Sequence, residues 1–235
     1  ELNWVINRDE FKENQPPMDP KELQTKMIPD ITRDGLPVRI MRDALAGPPD
    51  SYSAYGPSWA NVSNTPFREY KHYVHEGGIA SPLVVHWPKT ILANGDLRRQ
   101  PSHLIDIMAT CLEVSGSKYP DEYEGNKIIP IEGLSLVPVF KNQNLEREAI
   151  YWEHEGNRAI RMGKWKLVSK AFINNAQKWD KVENLNQNQW ELFDMEMDRT
   201  ELNDISEKYP EKVKTMSQMW TNWAKKTGAI PRPKK

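Results

Sequence analysis

Cysteine, long apolar runs and excess charge are all scarce in this 235-residue chain. Its single cysteine, Cys111, excludes an intrachain disulfide, so no bridge pattern indicates a redox compartment. No apolar run reaches the roughly 18 residues of a membrane-spanning helix. The 32 basic and 33 acidic side chains leave a formal net charge of −1, which gives no reason to expect a nucleic acid as partner. An anion bound by this chain must therefore be held by local geometry.

The first residues also lack the features of a targeting segment. Glu1-Leu2-Asn3-Trp4 contains no initiator methionine, no basic region and no apolar core, so it is not a signal peptide. We therefore expect this sequence to continue from an earlier part of a longer protein.

Proline is abundant, with 18 residues, and it dominates the start of the chain. Proline pairs and X-Pro steps interrupt candidate helices between residues 1 and 70, which predicts a loop-rich segment. One short helix is predicted at 21–27, after Asp19-Pro20. A long ordered loop of this kind is typical of the lining of a functional cleft.

An α/β pattern follows the loops. The continuous apolar run at 83–87, ended by Pro88, predicts a buried strand of a parallel or mixed sheet. A helix is predicted next, with Pro101-Ser102 as its cap and Gly116 as its end. Its predicted apolar face consists of Leu104, Ile105, Met108, Cys111 and Leu112.

The last third of the chain has the pattern of a small antiparallel sheet with one helix. The predicted strands are 149–152, 158–162, 165–169 and 190–193. Gly163-Lys164 between the second and third strands predicts a two-residue hairpin turn. A helix is predicted from Pro210 to about Gly228, with an apolar stripe of Val213, Met216, Trp220 and Trp223. We expect both tryptophans of this stripe to pack in the core and not to bind sugars.

Residues 71–78 combine a lysine, two histidines, a glutamate and a glycine pair. Paired glycines allow close approach of the backbone to a ligand or another strand. Lys71 is a compact positive charge that could hold an anionic oxygen. Composition alone favours a solvated surface lysine, because lysine is almost never buried without a partner. Spacing by itself does not decide between the two interpretations.

This stretch closely resembles the arylsulfatase branch of the sulfatase family. The matching residues are Lys71, then Glu76-Gly77-Gly78 five residues later, then Pro82 and the 83–88 run that ends in Trp-Pro. Further similar segments follow in the same order, at 102–110, 152–161, 163–167 and 191–194, with Asp198, Glu201 and Asp204 after them. The resemblance covers about residues 33–228.

The resemblance implies an α/β fold, namely the C-terminal part of an alkaline-phosphatase-like sulfatase fold. Residues 1–140 would form the C-terminal end of the catalytic domain, and 141–235 a small antiparallel sheet and helix subdomain. The implied activity is hydrolysis of sulfate esters to alcohol and sulfate, with a formylglycine nucleophile and a calcium ion. The implied substrate is a sulfated small molecule or glycan, and the implied location is periplasmic or secreted.

Residue by residue, little of that machinery is found in this sequence. Lys71 matches the lysine that binds sulfate and assists the leaving group, and His154 matches a turn that can meet the organic part of the substrate. Packing of His154 on Trp152 is an equal alternative. No Cys/Ser-x-Pro-x-Arg motif occurs, and Cys111 is followed by Leu112, so it does not match the formylglycine precursor. No Asp-Asn-Gly metal motif occurs either, so we assign no metal ligand and expect this fragment alone to be inactive.

The remaining residues of the motif region have less specific expectations. His72 and His75 are weaker site candidates than Lys71. Arg68 is expected to pair with a nearby carboxylate and to order its loop. Trp59 and Asn64 are expected to order the loop as well, the indole through burial.

Two alternatives remain open at this point. A carbohydrate-binding module without catalysis would also combine many tryptophans, a small sheet and long loops, and it would expose its aromatic side chains in a row. A phosphate or phosphonate ester hydrolase of the same fold would use an equivalent lysine, because sulfate and phosphate oxygens present the same contact to an ammonium group.

Overall fold

The computed structural model describes residues 56–92, 95–170 and 190–230, together with isolated positions between 19 and 38. Its helices are α1 (Gly56–Ser63), α2 (Glu76–Ile79), α3 (Ile105–Ser115), α4 (Val137–Phe140) and α5 (Pro210–Lys226), with a 3-10 turn at Ser206–Lys208. Its strands are β1 (Glu122–Tyr123), β2 (Asn126–Lys127), β3 (Ile150–His154), β4 (Asn157–Met162), β5 (Trp165–Ser169) and β6 (Glu191–Asp194). The helix predicted at 21–27 falls mostly outside the described residues.

A four-stranded antiparallel sheet in the order β3-β4-β5-β6 organises the C-terminal part. Gly163 and Lys164 join β4 to β5, as predicted, and Met162 pairs with Trp165 across that turn. Gly163 adopts a φ of +55°, a left-handed conformation that glycine tolerates without steric cost. β3 and β4 are joined by a second two-residue turn, Glu155-Gly156, across which His154 pairs with Asn157. All four predicted strands are therefore confirmed to within a few residues.

Helix α5 covers one face of this sheet with the predicted stripe. Met216 and Trp220 are buried, and they pack against Ile160, Leu167 and Leu192 of the sheet. The Trp220 indole N–H donates a hydrogen bond to the Trp152 carbonyl (2.9 Å), so its polar atom is satisfied inside the core.

The second tryptophan of the stripe lies at the edge of this core. Trp223 is partly buried, and its ring stacks on that of Tyr151 with 5.1 Å between centroids. Both tryptophans therefore pack as predicted, and neither belongs to an exposed aromatic row of the kind that a carbohydrate-binding module would need.

The opposite face of the sheet carries the segment that precedes and includes α2. Val74 is buried there against Ala159, Val168, Phe193 and Met195. Residues 68–79 are thus fixed on the sheet by apolar burial, worth about 1.5–3 kcal/mol for one such side chain. This packing places residues 68–75, which carry Lys71 and are here called the lysine loop, beside the end of β3.

The 83–87 segment is not the predicted buried strand. It has no ladder partner in the described part of the chain, and Val84 is 90% exposed. An apolar run becomes a strand only when a neighbour accepts and donates its backbone hydrogen bonds, and no described segment does so. The apolar pattern correctly indicated an apolar surface, but it could not show whether a neighbouring strand pairs with it.

Helix α3 differs from its prediction at the start but not at the end. Its first residue is Ile105, not the Pro101-Ser102 position, because the buried Asp106 carboxylate accepts the His103 N–H (2.7 Å) and fixes the chain there. Gly116 ends the helix at a φ of +68°, as predicted. The predicted apolar face is largely exposed, with Met108 and Cys111 among its exposed residues.

The first described helix, α1, is absent from the sequence prediction, which assigns loops to this region. Trp59 on α1 is 65% exposed, so the expected ordering of the loop by a buried indole is wrong. The Asn64 side chain does order the loop, because its Nδ2 donates to the Glu69 carbonyl (3.0 Å).

Candidate functional site

A pocket of about 570 Å³ lies between the lysine loop and the end of β3. It combines aromatic and aliphatic walls with a few polar groups, which is the usual composition of a small-ligand site. Its lining residues are Ala60, Asn64, Tyr70, Lys71, His72, Tyr73, Val74, Gly77, Gly78, Ile79, Trp152, Glu153 and His154.

Lys71 lines this pocket from the loop between α1 and α2. The residue is exposed, and it makes no ion pair with the residues that the structure describes. Two other lysines near the site are paired: Lys166 with Glu76, and Lys170 with Glu69. Lys71 is thus a positive charge at a concave surface whose described surroundings leave it available to an anion.

The glycine pair is required by the close packing of two backbone segments. A Cβ added to Gly77 would lie 2.1 Å from the Glu69 carbonyl oxygen, and one added to Gly78 would lie 2.0 Å from that of Tyr73. Neither contact is sterically possible, and both opposing atoms belong to the backbone of the lysine loop. The prediction of a close backbone approach is therefore correct, and the partner is the loop that carries Lys71.

A buried ion network fixes the residue just before the glycines. Lys166 on β5 is fully buried and donates to Glu76 Oε1 (2.8 Å), and its Nζ also lies 2.8 Å from Oε1 of the buried Glu201 in an ion pair. Glu201 Oε2 in turn accepts the Glu76 backbone N–H (2.7 Å). Burial alone would raise the pKa of Glu76, but Lys166 and neighbouring arginines hold it below its ordinary value, so Glu76 is ionised at neutral pH.

A second ion network ties the start of the lysine loop to β6. Arg68 donates to both oxygens of Glu191 (3.0 and 3.2 Å), which confirms the predicted carboxylate partner, and to the Glu201 carbonyl (2.7 Å). The fully buried His75 places its Nε2 2.9 Å from Glu191 Oε2. Burial opposes ionisation of Glu191, yet His75 and Arg68 lower its pKa to about 2. His75 therefore supports the loop from behind and does not face the pocket.

Two tyrosines provide hydroxyl groups at the pocket. The rings of Tyr70 and Tyr73 meet edge to face, with centroids 5.4 Å apart. Burial, and then the charge of Glu69, raises the pKa of both phenols above the usual 10. Both tyrosines are therefore protonated at neutral pH, and a hydrogen bond joins their two hydroxyl groups.

His154 lines the pocket together with Trp152, and the ring of Trp152 meets that of His103 with 5.5 Å between centroids. The His154 side chain is 53% exposed, and its ring stacks on His72 with 5.6 Å between centroids. The His72 Nδ1 contacts Glu155 Oε2, and His154 Nε2 lies 3.6 Å from the same oxygen.

From the sequence, His72 is a weaker site candidate than Lys71, and Glu155 is not a candidate. The two residues are 83 positions apart, and no local pattern brings them together. A histidine next to the candidate lysine and a second beside a Glu-Gly turn were the available signals.

Donor chemistry tests whether the described residues could hold the calcium ion that the resemblance implies. Within the described ranges, the group whose donor atoms converge consists of His72, His154 and Glu155. Calcium takes six to eight oxygen ligands, whereas two of these three donors are imidazole nitrogens. This group therefore does not fit calcium.

In the same described part of the chain, no helix combines the length and apolar character that crossing a membrane requires.

Comparison with known proteins identifies the family. Residues 68–227 match the family model described as N-sulphoglucosamine sulphohydrolase, C-terminal. An uncharacterized sulfatase of Schizosaccharomyces pombe is 26% identical over 205 residues, covering 84% of this chain and 34% of that protein. The N-acetylgalactosamine-6-sulfatase of Mus musculus is 31% identical over 113 residues, covering 48% of this chain and 20% of that protein.

A solved structure has the same fold over most of the described region. Ps i-CgsB in complex with k-i-k-neocarrahexaose aligns with a TM-score of 0.53 and 26% identity, covering 68% of this chain and 32% of that one. The chain spans about a third of the length of the first curated relatives it matches. The resemblance to the sulfatase family is confirmed, because the family model covers residues 68–227. This chain belongs to the sulfatase family and corresponds to its C-terminal region.

Proposed function

We propose that the protein to which this chain belongs is a sulfuric ester hydrolase of the arylsulfatase type. It hydrolyses sulfate esters to an alcohol and sulfate. The family match supports the reaction class, and the observation that carries the proposal to this chain is Lys71, unpaired among the described residues, at a pocket of about 570 Å³.

In this proposal Lys71 neutralises the sulfate group and the charge that develops on the leaving oxygen. An ammonium group at a concave surface does this best when its position is fixed before the substrate arrives. Two features fix the loop: the glycine pair, packed on the backbone of residues 68–73, and the salt bridge of Arg68 to Glu191. The protonated phenols of Tyr70 and Tyr73, which are hydrogen-bonded to each other, line the same pocket.

The organic part of the substrate contacts the outer wall of the pocket, where His154 and Trp152 lie. A planar aromatic wall and an exposed imidazole suit a sugar ring or an aryl group. Relatives named N-acetylgalactosamine-6-O-sulfatase and N-acetylglucosamine-6-O-sulfatase support a sulfated glycan as the substrate class. The same relationship supports a periplasmic or secreted location.

The nucleophile and the calcium site lie outside this chain in our proposal. Formylglycine would supply the attacking oxygen and calcium would polarise the sulfate, but the chain contains no Cys/Ser-x-Pro-x-Arg motif and its described donors do not suit calcium. We therefore propose residues 1–140 as the end of the catalytic domain, 141–235 as its C-terminal subdomain, and no turnover by the 235-residue chain alone. Release of 4-nitrophenol from 4-nitrophenyl sulfate by the chain alone would contradict this last point.

Steady-state kinetics of the complete protein test the role of Lys71. Lys71→Ala should lower kcat/KM by a factor on the order of 100 or more, because a charge-stabilising donor is lost. Lys127→Ala removes an exposed lysine on β2, away from the pocket, and should leave the rate unchanged. Equal rates for Lys71→Ala and the wild type would remove Lys71 from the site.

A further inference from the structure

We propose that His72, His154 and Glu155, here called the His-His-Glu cluster, form a binding site for a zinc-like divalent cation at the rim of the pocket. The cluster supplies one ligand atom from each residue, and these atoms all lie within 4.8 Å of one another. This site is separate from the calcium site of the proposed function, and its existence does not depend on that function.

One distance in the cluster is near that of a tetrahedral metal site. Two ligand atoms bound to zinc at about 2.0–2.1 Å lie roughly 3.3 Å apart. His154 Nε2 is 3.6 Å from Glu155 Oε2, and His72 Nδ1 is already in contact with that same oxygen. To bring all three atoms around one centre, the exposed His154 ring would turn and the His72–Glu155 contact would lengthen.

The donor types select the class of metal. Two imidazole nitrogens and one carboxylate form a common protein set for catalytic zinc, with a fourth position left open to water or substrate. Magnesium and calcium prefer oxygen-only surroundings, so they should bind here weakly. Because His72 and His154 both line the pocket, the open position would face the pocket, near Lys71.

The backbone around the cluster is held in place before any metal binds. The buried Asn157 donates from Nδ2 to the carbonyl of His72 (2.8 Å) and to that of His154 (3.1 Å), so one amide joins the two histidine-bearing segments. This contact links positions that are distant in sequence but adjacent in the site. A ligand set held in this way loses less conformational freedom on metal binding than a flexible one does.

Two ligand residues adopt a backbone conformation with positive φ, which is uncommon outside glycine. His72 has a φ of +83°, and Glu155 has a φ of +54° at the first position of the β3–β4 turn. Such turns favour Asn, Asp or Gly there, and a glutamate in the left-handed region is sterically disfavoured. Disfavoured conformations of this kind concentrate at functional sites. Here they direct an imidazole and a carboxylate toward the same point.

A direct binding measurement on the 235-residue chain tests the site without any sulfate ester. Zinc is titrated at pH 7.5 in competition with a chromogenic chelator, in a Cys111→Ser background that removes the exposed thiol as a competing ligand. We expect one equivalent of zinc to bind, and His154→Gln or Glu155→Gln to weaken binding at least tenfold. Calcium at the same concentration should not compete.

His86→Gln is the matched control, since His86 is an exposed histidine that does not line the pocket. It should leave zinc affinity unchanged. Asn157→Ser removes no ligand atom, so it should weaken zinc binding only by loosening the positions of His72 and His154. Thermal melting without zinc identifies any variant that fails to fold. The proposal is overturned if no equivalent of zinc binds, or if the His154→Gln and Glu155→Gln variants bind as tightly as the His86→Gln control. Either result would leave the role of Lys71 untouched, because no catalysis is measured.

Discussion

Replacing Lys166 by methionine should lower the free energy of unfolding more than replacing an exposed charged residue does. Lys166 is 0% exposed, and its Nζ lies 2.8 Å from a carboxylate oxygen of Glu76 and 2.8 Å from one of Glu201. Methionine fills nearly the same volume but leaves both carboxylates without their shared cation. Removing one partner from a buried ion pair costs about 3–5 kcal/mol, because the remaining charge stays desolvated.

The assay is urea unfolding at pH 7, followed by tryptophan fluorescence, since Trp220 lies in the core and reports on its disruption. Lys226→Met is the matched control. Lys226 also pairs with a glutamate, Glu132 (3.1 Å), but its side chain is 75% exposed. Loss of that surface pair should cost less than about 1 kcal/mol.

The pH dependence of the Lys166→Met variant provides a second readout of the same cause. Without the ammonium group, burial is the largest influence on the pKa of Glu76 and is opposed, among the described residues, only by Arg161 and Arg199. We therefore expect this pKa to rise above its value in the unfolded chain. A raised pKa means that the folded state binds the proton more tightly, so the deficit of the variant should shrink as the pH falls from 7 to about 5. A free energy of unfolding that equals the wild-type value at pH 7, or a deficit independent of pH, would refute the reasoning.

Two further predictions concern the support of the lysine loop. Gly78→Ala should prevent the native packing of the loop, since the added Cβ lies 2.0 Å from the Tyr73 carbonyl oxygen. The Cβ added by Gly95→Ala meets no atom, so this control should cost about 1–2 kcal/mol for its positive φ alone. Equal melting temperatures for the two variants would contradict this prediction. Glu191, with a folded pKa of about 2, stabilises the chain fully above its ordinary pKa of 4.5, and this contribution is lost as the pH falls toward 2. In Glu191→Gln the acid unfolding curve should therefore be flatter between pH 4.5 and 2, while the exposed control Glu146→Gln should keep the wild-type slope.

The C-terminal sheet and α5 were predictable because local signals decide them. Gly163-Lys164 specifies a hairpin, and the 3.6-residue spacing of Met216 and Trp220 specifies the buried face of a helix. The same kind of pattern failed at 83–87. An apolar run indicates a surface that needs a partner, but the described chain offers no strand to pair with it.

The site was predictable only in part, because its supports are distant in sequence. The resemblance singled out Lys71 and the glycine pair. No local feature showed that Lys166 is buried, since a lysine in a strand is ordinarily expected at the surface. Its partners, Glu76 and Glu201, lie 90 and 35 positions away, and only the folded sheet brings the three charges together.

Separation along the sequence also explains why the His-His-Glu cluster could not be predicted. His72 and the Glu155 turn come together through the packing of residues 68–79 on the sheet and through the amide of Asn157. Conformation contributes as well, because the positive φ of His72 and of Glu155 has no sequence signature. A buried asparagine that bonds two carbonyls is visible only in the folded chain.

The most direct measurement of the central claim is a crystal structure of the complete protein with inorganic sulfate bound in the pocket. The ammonium nitrogen of Lys71 should then lie within hydrogen-bond distance of a sulfate oxygen, about 2.7–3.2 Å. A sulfate bound in this pocket while that nitrogen points into solvent, more than about 4 Å from every sulfate oxygen, would contradict the account.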